Sequence, residues 1–254
     1  MTIEIWVAII SGAVALTSAT VGTYSAVLSA RIQREMEVRR HLVRKEEEIE
    51  NVMSRFREPF LRAAFELQTR IHNIADTDFV PRVSGDGSHA EPGYVRSSTL
   101  FRLAQYFGWV EILRKSVQFL DLGDQERTRQ LSEKLDRIGL AFAETTSYPE
   151  NAAFRLYRDE QRALGELMIE RTPGAARELQ CMNYVQFVEE LESNPTFSRW
   201  FGRLSDEIDR LADAPPGYLD RMVKVKDELS TLLAFLDPDG VRFPSIHPGD
   251  SLRN

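Results

Sequence analysis

The sequence predicts an all-α protein: a single N-terminal transmembrane helix, a long juxtamembrane helix, then a cytoplasmic helical bundle of about six to seven helices. Three observations carry this. Residues 5–30 hold no charged side chain. Beyond position 49, apolar residues recur at steps of three and four, the period of a helix with one buried face. No stretch alternates apolar and polar residues as a half-buried strand would. The chain divides accordingly into an anchor (1–30), a charged juxtamembrane helix (31–58), a helical domain (59–236) with a loop at 76–97, and a flexible tail (237–254).

The anchor, IWVAIISGAVALTSATVGTYSAVLSA, has 26 residues. At ~1.5 Å rise per residue it reaches ~39 Å, enough to cross a ~30 Å hydrocarbon layer with some tilt. Trp6 suits the interface. Thr17, Ser18, Thr20, Thr23, Ser25 and Ser29 dilute the apolar run, but their hydroxyls can bond back to helix carbonyls. A cleaved signal peptide would begin with basic residues and carry a shorter apolar region, whereas this chain starts Met-Thr-Ile-Glu-Ile. A buried helix of a soluble domain rarely runs so long without charge.

Basic residues set the expected orientation. None precedes the span, and Arg31, Arg34, Arg39, Arg40, Arg44 and Lys45 follow it. Positive flanks stay on the cytoplasmic side, which places the short N-terminus outside and the C-terminal domain in the cytoplasm. The same membrane-proximal basic cluster can lie against anionic headgroups. Ser11, Ala15, Ser18, Ala19, Gly22, Ala26 and Ser29 form a face of small residues, which lets two backbones approach closely in lipid. This is the candidate helix-association face of a homo-oligomer.

The formal net charge is −7; residues 1–45 sum to +3, so residues 46–254 carry −10. Such an acidic domain, with no basic stripe of its own, is a poor partner for nucleic acid. Cys181 is the only cysteine, which excludes a disulfide framework and a cysteine-based metal site. No second uncharged run approaches the ~18 residues that a span needs, so at most one crossing is expected.

Residues 31–58 continue the helix, with pairs such as Arg44 and Glu48 spaced four apart. A seam through Ile49, Met53, Phe56, Phe60, Ala64, Leu67, Ile71 and Ile74 fits either a self-pairing coiled coil or packing on its own domain. Pro59 within it predicts a kink or a fresh start at Phe60. Residues 76–97 concentrate turn formers. Ser98 or Thr99 is expected to cap the most apolar helix, 100–123, with Leu100, Leu103, Phe107 and Val110 on one face. Further helices are expected at 124–144, 152–170, 175–182, 184–192, 197–211 and 218–236, separated by Pro- and Gly-containing breaks.

The blocks REPFLRAAFELQTRIHNI (57–74) and LFRLAQYFGWVEILRKSVQFLDLG (100–123), with the anchor before them, resemble single-span membrane proteins of GC-rich Gram-positive bacteria. The resemblance covers about the first half of the chain. It implies a bacterial membrane setting and brings no activity and no site residue. The excess of arginine over lysine agrees with a GC-rich genome.

Motifs for chemistry are weak. His41, His72, His89 and His247 have no ligand spacing. Gly85-Asp86-Gly87 lacks the lysine of a phosphate-binding loop and reads as a turn. Gly249-Asp250-Ser251-Leu252 matches an esterase signature by letters only, without a preceding strand. Asp237-Pro238-Asp239-Gly240 opens like a calcium loop, but Ile246 stands where the closing acid belongs, so it reads as a helix-ending turn. The adjacent pairs Asp159–Glu160 and Glu189–Glu190 point in different directions on a helix. The better clue is Gln105, Glu111, Gln161 and Glu166, polar residues in helices that must pack. Any of them that is buried needs a partner and can line a pocket.

No catalytic residue, metal ligand or cofactor is therefore expected, and the chain reads as a non-enzymatic, membrane-anchored interaction or scaffolding module. Its partners would be the membrane and a protein, either a further copy or another chain. Two other readings stay open: a ligand-controlled effector that oligomerises through its anchor, and a tethered enzyme with an unfamiliar site.

Overall fold

A computed structural model describes residues 33–34, 36–37, 39–40, 56–77, 93–117, 125–170 and 179–243. The chain divides into two units, Met1–Asn51 and Val52–Asn254. In the first, the described residues are helical and exposed. The span over residues 5–30 lies outside the described residues, as does the small-residue face from Ser11 to Ser29. Among the described residues, no helix is long and apolar enough to cross a membrane.

The second unit is predominantly helical. Helix α1 covers residues 56–76 and runs through Pro59, so the helix does not start afresh at Phe60. From Phe60 onward the predicted seam is consumed within the domain: Phe60, Ala64, Leu67, Ile71 and Ile74 all belong to the core. That burial leaves this part of the seam unavailable for a self-paired coiled coil. Polar bonds hold α1 at its edges. Arg102 reaches Glu66 at 2.9 Å, and Arg57 donates to the Leu236 carbonyl at 2.6 Å.

Helix α2 spans Tyr94–Val117. It begins earlier than a cap at Ser98 or Thr99 would allow, directly after Gly93, whose φ of 100° is a left-handed conformation suited to glycine. Ser98 Oγ donates to the Tyr94 carbonyl at 2.5 Å, so its hydroxyl is satisfied inside the helix rather than at its end. Helix α3 spans Gln125–Ala143, close to the expected bounds, and packs along α8, Asp220–Leu236.

The helix expected over 152–170 is shorter, α4 being Arg158–Leu167. The preceding segment finds its partners elsewhere: Ala153 N–H bonds Tyr218 O at 2.9 Å and Leu156 N–H bonds Phe142 O at 3.1 Å. Phe154 sits at φ 62° although it is not glycine. Its N–H donates to Glu207 Oε2 at 2.7 Å, and its ring is buried. Tertiary bonds thus override a helical pattern here. After α4 comes a two-residue strand, β1 (Ile169–Glu170), antiparallel to β2 (Gln180–Cys181). The described part of the helix expected at 175–182 is therefore not helical. Gly108 explains how this hairpin packs on α2, because a Cβ there would stand 2.8 Å from Cys181 Sγ and from Met168 Cβ. Burial pushes the Cys181 thiol up to about 12, with the Glu170 charge adding to it.

Helix α5, Tyr184–Ser193, starts where expected, capped by Asn183 and Gln186 in reciprocal bonds. The helix expected at 197–211 is broken in two. Asn194 Oδ1 accepts from Thr196 and Phe197 N–H groups and starts α6, Pro195–Ser198, ahead of a separate α7, Gly202–Asp209, and a 3-10 turn at Arg210–Asp213. Phe187, Phe197 and Phe201 meet in edge and tilted contacts at 5.1–5.6 Å between ring centres, fixing these short helices against the core. After α8, Asp237 Oδ2 accepts from Arg242 N–H at 3.0 Å and Phe243 N–H at 3.1 Å. Phe243 stacks on Phe65 at 4.2 Å, so the tail opens with a packed turn.

Candidate functional site

Helix α2 packs on α4, and α3 packs on α8. A cleft of about 610 Å³ opens between α2, α3 and α4, within the range of small-ligand sites. Its apolar walls are Tyr106, Phe107, Val110 and Leu113 from α2, with Leu131 and Leu135 from α3. Polar groups border these walls: Glu111 and Arg114 on α2, Ser132 and Asp136 on α3, and Arg158, Gln161 and Arg162 on α4.

Two glycines make this arrangement possible. Gly165 lets α4 cross close to α2: a Cβ there would stand 2.5 Å from the Phe107 carbonyl oxygen and 3.0 Å from Glu111 Cβ. Gly139 leaves room on α3 for side chains from α4, since a Cβ there would collide with Arg158 Nη1 and approach Gln161 Oε1 at 2.9 Å. Gln161 uses that room, and its amide donates to Gly139 O and Leu156 O, both at 2.8 Å.

Glu111 is 2 % exposed, so its charge requires partners. Arg114 supplies two bonds, at 2.8 and 2.5 Å, and Lys115 lies at 3.6 Å. Burial by itself would raise its carboxyl; the Arg114 bonds, with the charges of Arg114, Lys115 and Arg162, hold it below the ordinary carboxylate range. Burial pushes the Tyr106 hydroxyl well above its ordinary value. Across the cleft Arg158 donates to Asp136 O at 2.9 Å and lies 3.4 Å from the Asp136 carboxylate. The arrangement can bind and orient a partner that is part apolar and part charged.

Of the four polar residues noted in the sequence, Glu111 and Gln161 are buried and line the cleft. Glu166 is half exposed and pairs with Lys115 at 3.2 Å. Gln105 Oε1 is buried without a hydrogen-bond partner and lies outside the cleft. In the membrane-proximal cluster, Arg34, Arg39 and Arg40 are helical and exposed, while Arg31, Arg44 and Lys45 fall outside the described residues. His72 is exposed and meets Asp76 at 2.7 Å. His41, His89 and His247 lie outside the described residues, as do the turn at Gly85–Gly87 and the string at Gly249–Leu252. Among the described residues no group of three or more His, Cys, Asp or Glu side chains is placed to hold a metal ion. Glu160 is spent on structure, accepting from Tyr157 N–H at 2.7 Å and pairing with Arg203 at 3.1 Å.

Sequence reasoning missed Arg114, Ser132, Asp136, Arg158 and Arg162, which read as ordinary surface positions. The usable signal was Gly139 and Gly165, isolated glycines inside helical patterns, which mark close approach. No family model, no curated protein and no solved structure matches this chain.

Proposed function

We propose that the chain is a membrane-anchored helical interaction module that engages its partner through the α2–α3–α4 cleft, a binding protein and not an enzyme. The observation that carries this reading is the cleft itself, an apolar concavity bordered by polar groups already held in place by Glu111–Arg114 and Arg158–Asp136. Preformed polar groups spend little ordering entropy on binding. The anchor rests on the charge-free residues 5–30 and their basic flank. Exposed Arg34, Arg39 and Arg40 suit anionic headgroups, each contributing ~1 kcal/mol near the surface. Association through the small-residue face and a cytoplasmic domain belong to the same proposal, and nucleic acid does not.

A ligand-controlled effector that assembles through its anchor is the second reading. The cleft favours it too, because three helices converge there and an occupant would bias their spacing. The test is crosslinking in alkali-washed membranes followed by affinity capture, comparing the native chain with Ser132→Trp. Ser132 is exposed at the cleft, so tryptophan fills the space without entering the core. A partner lost from the variant supports the reading. A chain removed from membranes by alkali, or an identical captured set, argues against it.

A further inference from the structure

We infer that the α2–α3–α4 cleft binds a single-chain amphiphile with an anionic carboxylate head, a free fatty-acid-like molecule, its tail between α2 and α3 and its head at Arg162. The inference rests on the proposed binding role of the cleft and gives that role a ligand class.

The distribution of side chains argues for it. Tyr106, Phe107, Val110, Leu113, Leu131 and Leu135 supply an apolar wall from two helices, which favours a flexible hydrocarbon over a polar ligand. The charges among the lining side chains and their neighbours nearly cancel. Glu111 takes Arg114, Glu166 takes Lys115, and Asp136 takes Arg158. Arg162 is what remains: it lines the cleft, is exposed, and acts on Glu111 only through space, with no ion pair among the described residues. The lining therefore carries one surplus positive charge beside an apolar wall. A planar guanidinium donates two parallel bonds to a carboxylate. A cationic or zwitterionic head would meet no free acid, because Glu111 and Asp136 are already engaged.

The test uses the full chain in zwitterionic nanodiscs and a diazirine-bearing dodecanoate, with labelled residues mapped by mass spectrometry. The expected result is light-dependent label in residues 106–114 and 128–139, half-saturating at a concentration that Arg162→Ala raises ~10-fold, as loss of an exposed charge-assisted bond predicts. Arg162→Lys should recover part of that loss, Ser132→Trp should abolish the label, and the matching alcohol should label weakly. Label confined to residues 5–30 would report partition into lipid and overturn the inference. So would equal labelling by the alcohol, or labelling indifferent to Arg162. If the dodecanoate fails while membrane crosslinking still loses a partner in Ser132→Trp, the amphiphile is wrong and the cleft remains a protein-binding site. If neither depends on the cleft, both readings fall.

Discussion

Replacing Gly165 by alanine tests how closely α4 must approach α2, and two effects oppose each other. Alanine within a helix is favoured over glycine by ~1 kcal/mol, so on propensity alone the variant would be more stable. Against this, the new methyl would stand 2.5 Å from the Phe107 carbonyl oxygen and 3.0 Å from Glu111 Cβ. The oxygen is backbone in the middle of α2 and cannot rotate away. An ordinary carbon–oxygen contact needs ~3.3 Å, so the two helices must separate by ~0.8 Å. Overpacking of that kind costs ~1–3 kcal/mol, and the core residues Phe107 and Leu164 on the two helices would loosen with it. Steric cost should exceed propensity, leaving Gly165→Ala less stable by ~1–2 kcal/mol, the upper part of that range less the gain. Urea unfolding followed by far-ultraviolet circular dichroism measures this. Gly202→Ala is the control, because nothing lies within 4 Å of a Cβ there, and it should be neutral or stabilising by up to ~1 kcal/mol. A Gly165→Ala protein as stable as the native chain, beside a well-behaved Gly202→Ala, would refute the close-approach argument.

Three further outcomes rest on other contacts of the fold. Arg221 donates to the Ala141, Phe142 and Glu144 carbonyls at 3.2, 3.1 and 2.6 Å, closing the C-terminal end of α3, and lies 4.5 Å over the Tyr148 ring. Arg221→Met should cost ~2–4 kcal/mol and lower Tm by ~5–15 °C in a thermal melt, because buried carbonyls lose a charged donor. Glu111 has a depressed folded pKa, so its stabilising contribution is complete above the unfolded carboxylate value of ~4.3 and is lost as pH falls through the lower folded value. The native chain should therefore exceed Glu111→Gln in stability at neutral pH, and acid titration of unfolding should bring the two curves together below pH ~4.3. Ser132→Trp should unfold within ~0.5 kcal/mol of the native chain, as for an exposed position, while losing whatever the cleft binds.

The long amphipathic helices were legible because their pattern and their packing agree. Leu131, Ile138 and Phe142 are spaced for a buried face, and all three are in the core. The same holds for Leu229, Leu232 and Leu233 on α8. What sequence periodicity did not reveal was decided by bonds between distant residues. Phe154 leaves the helical region because Glu207, far along the chain, accepts its N–H. Ser98 looks like a cap by type, yet it bonds back to Tyr94 inside a helix that starts earlier. The cleft was half legible. Glu111 and Gln161 stood out as polar residues among apolar ones, but the arginines around them gain meaning only from the spacing that Gly139 and Gly165 allow.

Site-specific photocrosslinking in native membranes tests whether the chain is a membrane-held module that binds through its cleft. A photoreactive residue replaces either Ser132, at the cleft, or Leu140, which is 57 % exposed on the same helix but outside it. A membrane-fraction adduct is expected from position 132 and none from position 140. Adducts of equal yield from both positions, or a chain recovered away from the membrane fraction, would contradict it.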